Sequence, residues 1–536
     1  MNKSKKNILL LSIFITIVLL LFLKIDFRFQ DTVFCCGDDH DYYMHAETIA
    51  VDFDLDYSNQ LKGIEYKRFN FEGNVAPTGF IGSGLLSSPF LFLGHSIDTI
   101  ISQNNTLSKE ILNYRMIFYS LSSVFYLFLT LNLTFKILAI LKYHFSKFNI
   151  IIMYFGSGVT YYAFERFSMT HIYECFSATV IMYISLKFYT SSKVTKYAYL
   201  LPIFIAIGLS VRWINYFYFL LPIISYYLIS ENKAINGRLL KNQYFIIASF
   251  LSGAIFLLHT KVLYGQFTFN PQFVYETSGG VSSFINRDGR FIDFIINNIV
   301  NSFNIIFTQE FGLFWFSPIL FIGFSVLIFN LFDDKKKNLY FNLLILFSYL
   351  QIFLVVLLWR STASSYGFRY LYCLIPLSII LYYRFQHKKN NKLIKLYVVV
   401  FSIFSSLSIL FFETTEGTQL SLEYTTNSFG RLAMYTQPQY LQGYLASFLE
   451  LNSYLKIFTT SFLGAIIFKC VLIFVEKEKF VALLESFGLP VNNEDFIIYL
   501  SEVSEINMHK FLSVLIIMYI FGRWVAKTTQ KINLDY

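Results

Sequence analysis

The chain has 536 residues, 55% of them hydrophobic and only 14% charged, where an ordinary soluble domain carries about 25%. Its 43 Lys and Arg against 34 Asp and Glu give a formal charge of +9, but the basic residues fall in short clusters between apolar runs. That distribution argues for orientation in a bilayer and against nucleic-acid binding, and the composition as a whole is that of an integral membrane protein.

The N-terminal run from Ile8 to Leu23 follows "NKSKK" and lacks a small-x-small cleavage site, so it reads as a first transmembrane helix. Taking about 20 apolar residues per crossing, further spans are expected near 114–135, 149–163, 172–190, 198–213, 214–230, 244–264, 312–332, 339–358, 370–384, 394–412, 456–475 and 510–524. The stretch 198–230 also reads as one long helix plus a re-entrant piece. The expected class is therefore an all-α polytopic bundle of about 11–13 transmembrane helices, with a long first outer loop containing interfacial helices.

With Lys3, Lys5 and Lys6 inside, alternation places "LKYHFSK", "SSKVTK", "ENKAINGRLLKNQ", "DDKKKN" and "YRFQHKKNNKLIK" inside as well, and each has more Lys and Arg than Asp and Glu. The same alternation sends "AFERFSMTHIYE", "SVRWINYF" and "WRSTASSYGFRY" outward and leaves the terminal "GRWVAKTTQK" outside, a poor fit to the rule. Residues 1–412 read as one transmembrane domain. Residues 413–536 read as an outer segment, further spans and a cytoplasmic amphipathic region.

The first outer loop, "CCGDDHDYYMHAETIAVDFDLDYSNQ", gathers Asp38, Asp39, Asp41, Glu47, Asp52, Asp54 and Asp56. Tyr42, Ala46, Ile49, Ala50 and Phe53 share one face at helical spacing, the pattern of an interfacial helix. Asp38 stands where an N-cap would, or else is a base for an attacking hydroxyl, tuned by its neighbour Asp39. The trio Glu165, Arg166 and His171 reads as a solvated hairpin or as functional charge at membrane depth. Arg212, inside an apolar run, needs an anion, either a carboxylate such as Glu165 or a phosphate. On the outer side, Arg287, Asp288 and Arg290 add charge in "NRDGR", Arg360 ends a span, and Arg369 follows Gly367, which permits close backbone approach. Cys35, Cys36, Cys175, Cys373 and Cys470 have no metal-ligand spacing, and Cys35 and Cys36 are poorly placed to bridge one another.

Five stretches occur in an order that resembles the bacterial GT-C glycosyltransferases, the multispanning enzymes that include protein O-mannosyltransferases and aminoarabinose transferases. They are "GDDHDYYMHAETIAVDFDLDYSNQ", "GSGLLSSPFLFLG", "ERFSMTHIYECF", "GLFWFSPILF" and "WRSTASSYGFRYLYCLIP". Asp39 stands where the family pattern has Glu, Phe167 where it has Pro, and Ser361 where it has Gly.

The resemblance implies transfer of a sugar from a polyprenyl-phosphate donor to an acceptor hydroxyl with inversion, at the outer face of the bacterial cytoplasmic membrane. Asp38 would be the catalytic base, and Arg369 and Arg212 would lie near the lipid phosphate, with His171 nearby. Asp39 is the further catalytic candidate beside Asp38, and Tyr42, Glu165 and Arg360 are the further candidates for binding substrate. The acceptor would be lipid A, a lipid-linked glycan or a protein. No metal-ligand set and no required cofactor is expected, although a divalent cation is compatible with paired carboxylates. Competing readings are a secondary transporter or lipid-linked glycan flippase, and an O-antigen polymerase or ligase. The first puts charge near the midplane and often shows inverted repeats; here charge gathers toward one face and no repeat is evident.

Overall fold

The computed structural model describes residues 3–24, 37–60, 76–77, 79–102, 113–230, 239–270, 291–308, 311–333, 339–359, 366–415, 441, 445, 448–449, 451–487 and 494–530. Among these the fold is all-α. In chain order the helices are α1 (Lys3–Phe22), α2 (Gly37–Glu47), α3 (Gly82–Ser102), α4 (Tyr114–Ile140), α5 (Lys147–Phe155), α6 (Val159–Phe164) and α7 (His171–Thr190). They continue with α8 (Val194–Val211), α9 (Leu221–Ser230), α10 (Gln243–Tyr264), α11 (Phe291–Phe307), α12 (Pro318–Asp333), α13 (Leu339–Trp359), α14 (Ile375–Lys389) and α15 (Lys392–Thr415). The chain closes with α16 (Leu451–Thr460), α17 (Phe462–Leu472), α18 (Lys477–Ser486), α19 (Glu494–Glu505) and α20 (Met508–Gln530).

Seven of the described helices are long and apolar enough to cross a membrane, namely α3, α4, α8, α10, α13, α15 and α20. This is fewer than the runs seen in sequence because several runs are broken. The run 149–163 divides into α5 and α6 at Gly156–Gly158, where Gly158 takes φ +81°. The run 198–230 is two helices rather than one: α8 ends at Val211, and a 3₁₀ turn, Tyr216–Phe219, leads into α9. The run 370–384 begins as a 3₁₀ turn, Arg369–Leu374. Glycine at Gly158 and Gly367, both at positive φ, is required twice over, since the Tyr372 hydroxyl also occupies the place a Cβ would take at each.

The helix α3 lies in a stretch where no span is expected above, although it is long and apolar enough for one. Its serines and glycines permit close packing. Gly82 abuts the Ser210–Val211 backbone, Gly84 meets His45 and Ala46, and Gly94 meets Tyr114 and Arg115. It runs antiparallel to the first part of α4, with Tyr126 OH donating to Leu86 O at 2.9 Å and Asp98 accepting from the Tyr114 and Arg115 amides at 3.0 and 2.7 Å.

The expected interfacial helix α2 is instead enclosed. Asp39 and every residue from Asp41 to Ala46 are buried, so both faces pack, while Phe53, expected on the apolar face, is 73% exposed in a left-handed turn. Asp38 falls within the first turn rather than at a cap.

One end of the bundle collects basic residues. Tyr143 contacts His387, Phe145 contacts Tyr383 and Phe135 contacts Trp524 at ring separations of 5.7, 6.3 and 6.4 Å, so the ends of α4, α14 and α20 meet. This corrects the expected placement of the C-terminal end. The run 456–475 is two short helices broken at Ser461, and the segment after it folds back alongside: Tyr499 OH donates to Thr459 O at 3.3 Å and Lys469 Nζ to Ser504 O at 2.5 Å. The next helix, α20, runs parallel to α4, with Tyr114 against His509 and Phe128 stacked on Phe521. It runs antiparallel to α1, with Phe511 near Phe462, whose amide bonds Leu23 O, and Gly522 near Ser12 and Thr16. Arg523 and Lys527 therefore lie at the end from which α1 starts. The segment 477–505 lies at the opposite end.

A reporter fused after Gln530 should consequently label in the same compartment as one fused to the N-terminus in intact cells. Labelling in opposite compartments would overturn this chain course.

Candidate functional site

The stretch 165–174, between α6 and the first turn of α7, is the hub of the charged residues. On one side Arg166 Nη2 donates to Asp39 Oδ2 and Ser168 Oγ donates to Asp39 Oδ1 at 2.5 Å, with the Arg166 and Asp39 side chains each 1% exposed. Burying such a pair costs several kcal/mol of desolvation per ion, and only tight geometry with added hydrogen bonds offsets it. Ser168 supplies one of those bonds. The pair is sealed by aromatic packing of Phe167 on Tyr119 and Tyr119 on Tyr43, with ring separations of 5.8 and 5.1 Å.

On the other side the hub presents His171 and Glu174, both fully enclosed at the start of α7. Glu174 accepts from His171 Nδ1 at 2.9 Å, Asn215 Nδ2 at 3.1 Å and Thr170 Oγ1 at 3.3 Å, and Arg212 Nη1 lies 3.6 Å from Glu174 Oε2. Tyr218 OH donates to the Glu174 backbone carbonyl at 2.7 Å. The Arg212 guanidinium lies 4.1 Å from the centre of the Tyr370 ring, and that of Arg369 lies 5.3 Å from it. Such cation–π contacts are worth about 2 kcal/mol when desolvated. The His171 ring packs against Tyr162, Tyr370 and Tyr372 at 4.5, 6.2 and 6.4 Å. Residues 39, 166–174, 212–215 and 369–370, far apart in the chain, thus form one continuous set of contacts.

The carboxylate on Arg212 is Glu174, where the sequence pointed to Glu165 or a phosphate. Glu165 is buried and ends α6. Glu174 was missed although its signal was present: it follows His171 by three residues on one helix face, inside an otherwise apolar run where a carboxylate needs partners. Arg369 is buried in the 3₁₀ turn. Gly367 does permit a close approach, and the group that approaches is the Tyr372 hydroxyl. Tyr42 packs its ring against Gly79 within the core cluster. Asp38 is placed by its backbone in α2, next to Asp39; its side chain lies outside the described residues, as do Arg360, Cys35, Cys36 and the stretch Arg287–Arg290.

Asp52, Asp54 and Asp56 serve the folding of the loop itself. Asp54 Oδ1 accepts from Thr48 Oγ1 at 2.8 Å and Asp56 N at 3.1 Å, Asp56 Oδ1 from Ser58 N at 3.0 Å, and Asp52 Oδ2 from Asn59 Nδ2 at 2.9 Å and from Gln60. These are turn-forming bonds of the kind Asp favours. Glu47 accepts from Arg115 at 3.3 Å, and its carboxyl is raised by burial despite that partner. Among the described residues no group of three or more His, Cys, Asp or Glu is arranged to hold a metal ion.

His45 ties the loop to α2. Gly79 O, 2.9 Å from Nε2, can only accept, so Nε2 carries the proton and Nδ1 accepts from Tyr57 OH at 2.7 Å. Burial pushes this imidazole from 6.5 down to about 4.

No protein-family model matches the chain, and no curated protein sequence matches it. Three solved structures of the Archaeoglobus fulgidus oligosaccharyltransferase resemble it at 12% identity. The apo form gives a TM-score of 0.39 over 93% of this chain and 63% of that one. The complex with an inhibitory peptide and a dolichol-phosphate gives 0.33 over 94% and 64%, and the complex with Zn and sulfate gives 0.35 over 93% and 61%. The chain thus spans less than two thirds of the length of these proteins, and likeness at this level establishes neither family nor activity for it.

Replacing Asp39 with Ala removes one half of a buried ion pair and should cost about 3–5 kcal/mol, measured by thermal unfolding in detergent, whereas D39L/R166L should recover much of the loss. Because His45 has a depressed folded pKa, its contribution is present above about pH 6.5 and is lost as pH falls toward 4, to about 3 kcal/mol in total. His45→Gln should flatten the acid dependence of unfolding over that window.

Proposed function

We propose that this chain is a GT-C-type membrane glycosyltransferase, transferring a sugar from a polyprenyl phosphate to an acceptor hydroxyl at the outer face of the bacterial cytoplasmic membrane. The observation that carries the reading is the buried charged network that joins the first loop, the 165–174 hub, the end of α8 and the turn at Arg369. Long-range assembly of carboxylates and guanidinium groups at one level of an apolar bundle is costly unless those charges have work to do. The ordered resemblance of five stretches to the GT-C glycosyltransferases supports the same reading.

A polyprenyl-phosphate sugar is already activated, because the phosphate departs as a stabilised anion. What the protein must supply is alignment of the acceptor, a base for its proton, and cations for the leaving group. Asp38 is the base. Asp39, held by Arg166 and Ser168, is a positioning residue: it fixes the first turn of α2 and with it the backbone of Asp38. Arg212 and Arg369 stabilise the departing phosphate, each held against the Tyr370 ring. A single displacement from the face opposite the phosphate inverts the anomeric carbon. The donor's tail lies along the apolar exterior of the spans, and the acceptor is lipid A, another lipid-linked glycan or a protein.

With tritiated polyprenyl-phosphate sugars and purified protein in nanodiscs, Asp38→Asn should reduce transfer by about 10²–10⁴-fold while leaving thermal unfolding unchanged. Full transfer by D38N, or flipping of the donor with no transfer by the wild type, would overturn the proposal in favour of a flippase or an aspartate-independent ligase.

A further inference from the structure

The contacts of Glu174 are unequal. Three of its partners, His171, Asn215 and Thr170, lie within hydrogen-bond distance at 2.9–3.3 Å. The fourth, Arg212, stands at 3.6 Å, an ion pair without a hydrogen bond. Arg212 is also the accessible member, with 13% of its side chain exposed against none of Glu174. And Arg212 does not depend on Glu174 for its position, since it lies over the Tyr370 ring and follows the last turn of α8 in extended backbone.

From this we infer that Glu174 is an internal counter-anion: it neutralises Arg212 in the unliganded protein, and a phosphate-bearing ligand displaces it. The inference rests on the reading of Arg212 as a phosphate-binding residue. An arriving phosphate reaches Arg212 from its exposed side and can take a bidentate grip on the guanidinium, which the carboxylate lacks. Glu174 keeps its three closer donors when Arg212 turns away, so its charge is not left bare in the protein interior. Tyr370 keeps the guanidinium in register throughout. Because both anions compete for one cation, Glu174 weakens the ligand's hold and speeds release of the product phosphate. It is a positioning residue that acts through Arg212.

The sign of the effect separates this role from a structural one. Glu174→Gln preserves shape and most donors while removing the competing charge, so the affinity for a short-chain polyprenyl phosphate should rise about 5–50-fold, by release of part of the ion-pair energy at 3.6 Å. A merely structural glutamate would give weaker or unchanged binding. In an Arg212→Gln background the gain should vanish, because the effect is transmitted only through that guanidinium. Glu174→Asp, which keeps the charge but draws it back, should give a smaller gain and guards against a glutamine variant that fails to fold, as checked by thermal unfolding.

Binding is measured in nanodiscs by displacement of a fluorescent polyprenyl phosphate, with inorganic phosphate and phosphatidylglycerol as separate competitors. Competition by inorganic phosphate identifies the phosphate group as the determinant, and competition by phosphatidylglycerol alone would assign the site to a bulk lipid headgroup and overturn the inference. If the folded wild type binds none of the three, the phosphate reading itself fails. If the wild type binds polyprenyl phosphate and folded E174Q and E174D bind it no more tightly, the counter-anion role fails while that reading stands.

Discussion

The buried bond between Asp39 and Arg166 is the constraint on which the rest of the site depends. Two ions with 1% of their side chains exposed are stable together only while both are in place, so the first loop cannot leave the 165–174 hub without stranding a charge in the apolar interior. That single contact fixes the first turn of α2, and α2 in turn fixes α3 through Gly84 and the loop around Tyr57 through His45. A segment that would otherwise be a mobile acidic loop above a membrane becomes a wall of the bundle.

The second half of the hub uses a different device. Glu174 is held by three donors and an ion pair with Arg212, and the cations around it are held by aromatic faces instead of carboxylates alone. A ring face attracts a guanidinium without neutralising it, so the charge stays available to an anionic ligand. Tyr372 completes the arrangement by wedging its hydroxyl between Gly158 and Gly367, where it donates to Tyr366 O at 2.9 Å. Those two glycines connect the break in the α5–α6 run to the 3₁₀ turn that carries Arg369. The interruptions of the apolar helices and the placement of the charges therefore have one cause: backbone must leave the helix for these side chains to meet.

Much of the fold was readable along the chain. Runs such as 114–135, 244–264 and 394–412 coincide with α4, α10 and α15 because a lipid-facing or core helix must be apolar nearly throughout, whatever its neighbours. The differences fall at interruptions and small residues. The α3 stretch is apolar enough to cross, and its small residues are what let it dock, while the apolar run at 456–475 reads as a crossing although Ser461 caps a new helix within it, accepting from Gly464 N. That one misreading carries the terminal basic residues to the wrong end, and the contacts of α20 with α1 and α4 return Arg523 and Lys527 to the end where the other basic loops gather.

By itself the sequence determined that this is a helical membrane protein, that its charges are few, and that Asp39, Arg166, His171, Arg212 and Arg369 are among those in need of an explanation, since burying a charge in an apolar chain is costly wherever it falls. It could not determine the pairings. Whether Arg212 meets Glu165 or Glu174, and whether the acids of the first loop bind one another or a distant arginine, depends on how helices far apart in the chain are brought together. Only the tertiary structure decided that Asp39 alone of the loop's carboxylates Asp39, Asp52, Asp54 and Asp56 reaches the hub, because ion pairing acts over a few ångströms in space and leaves no periodicity along the chain.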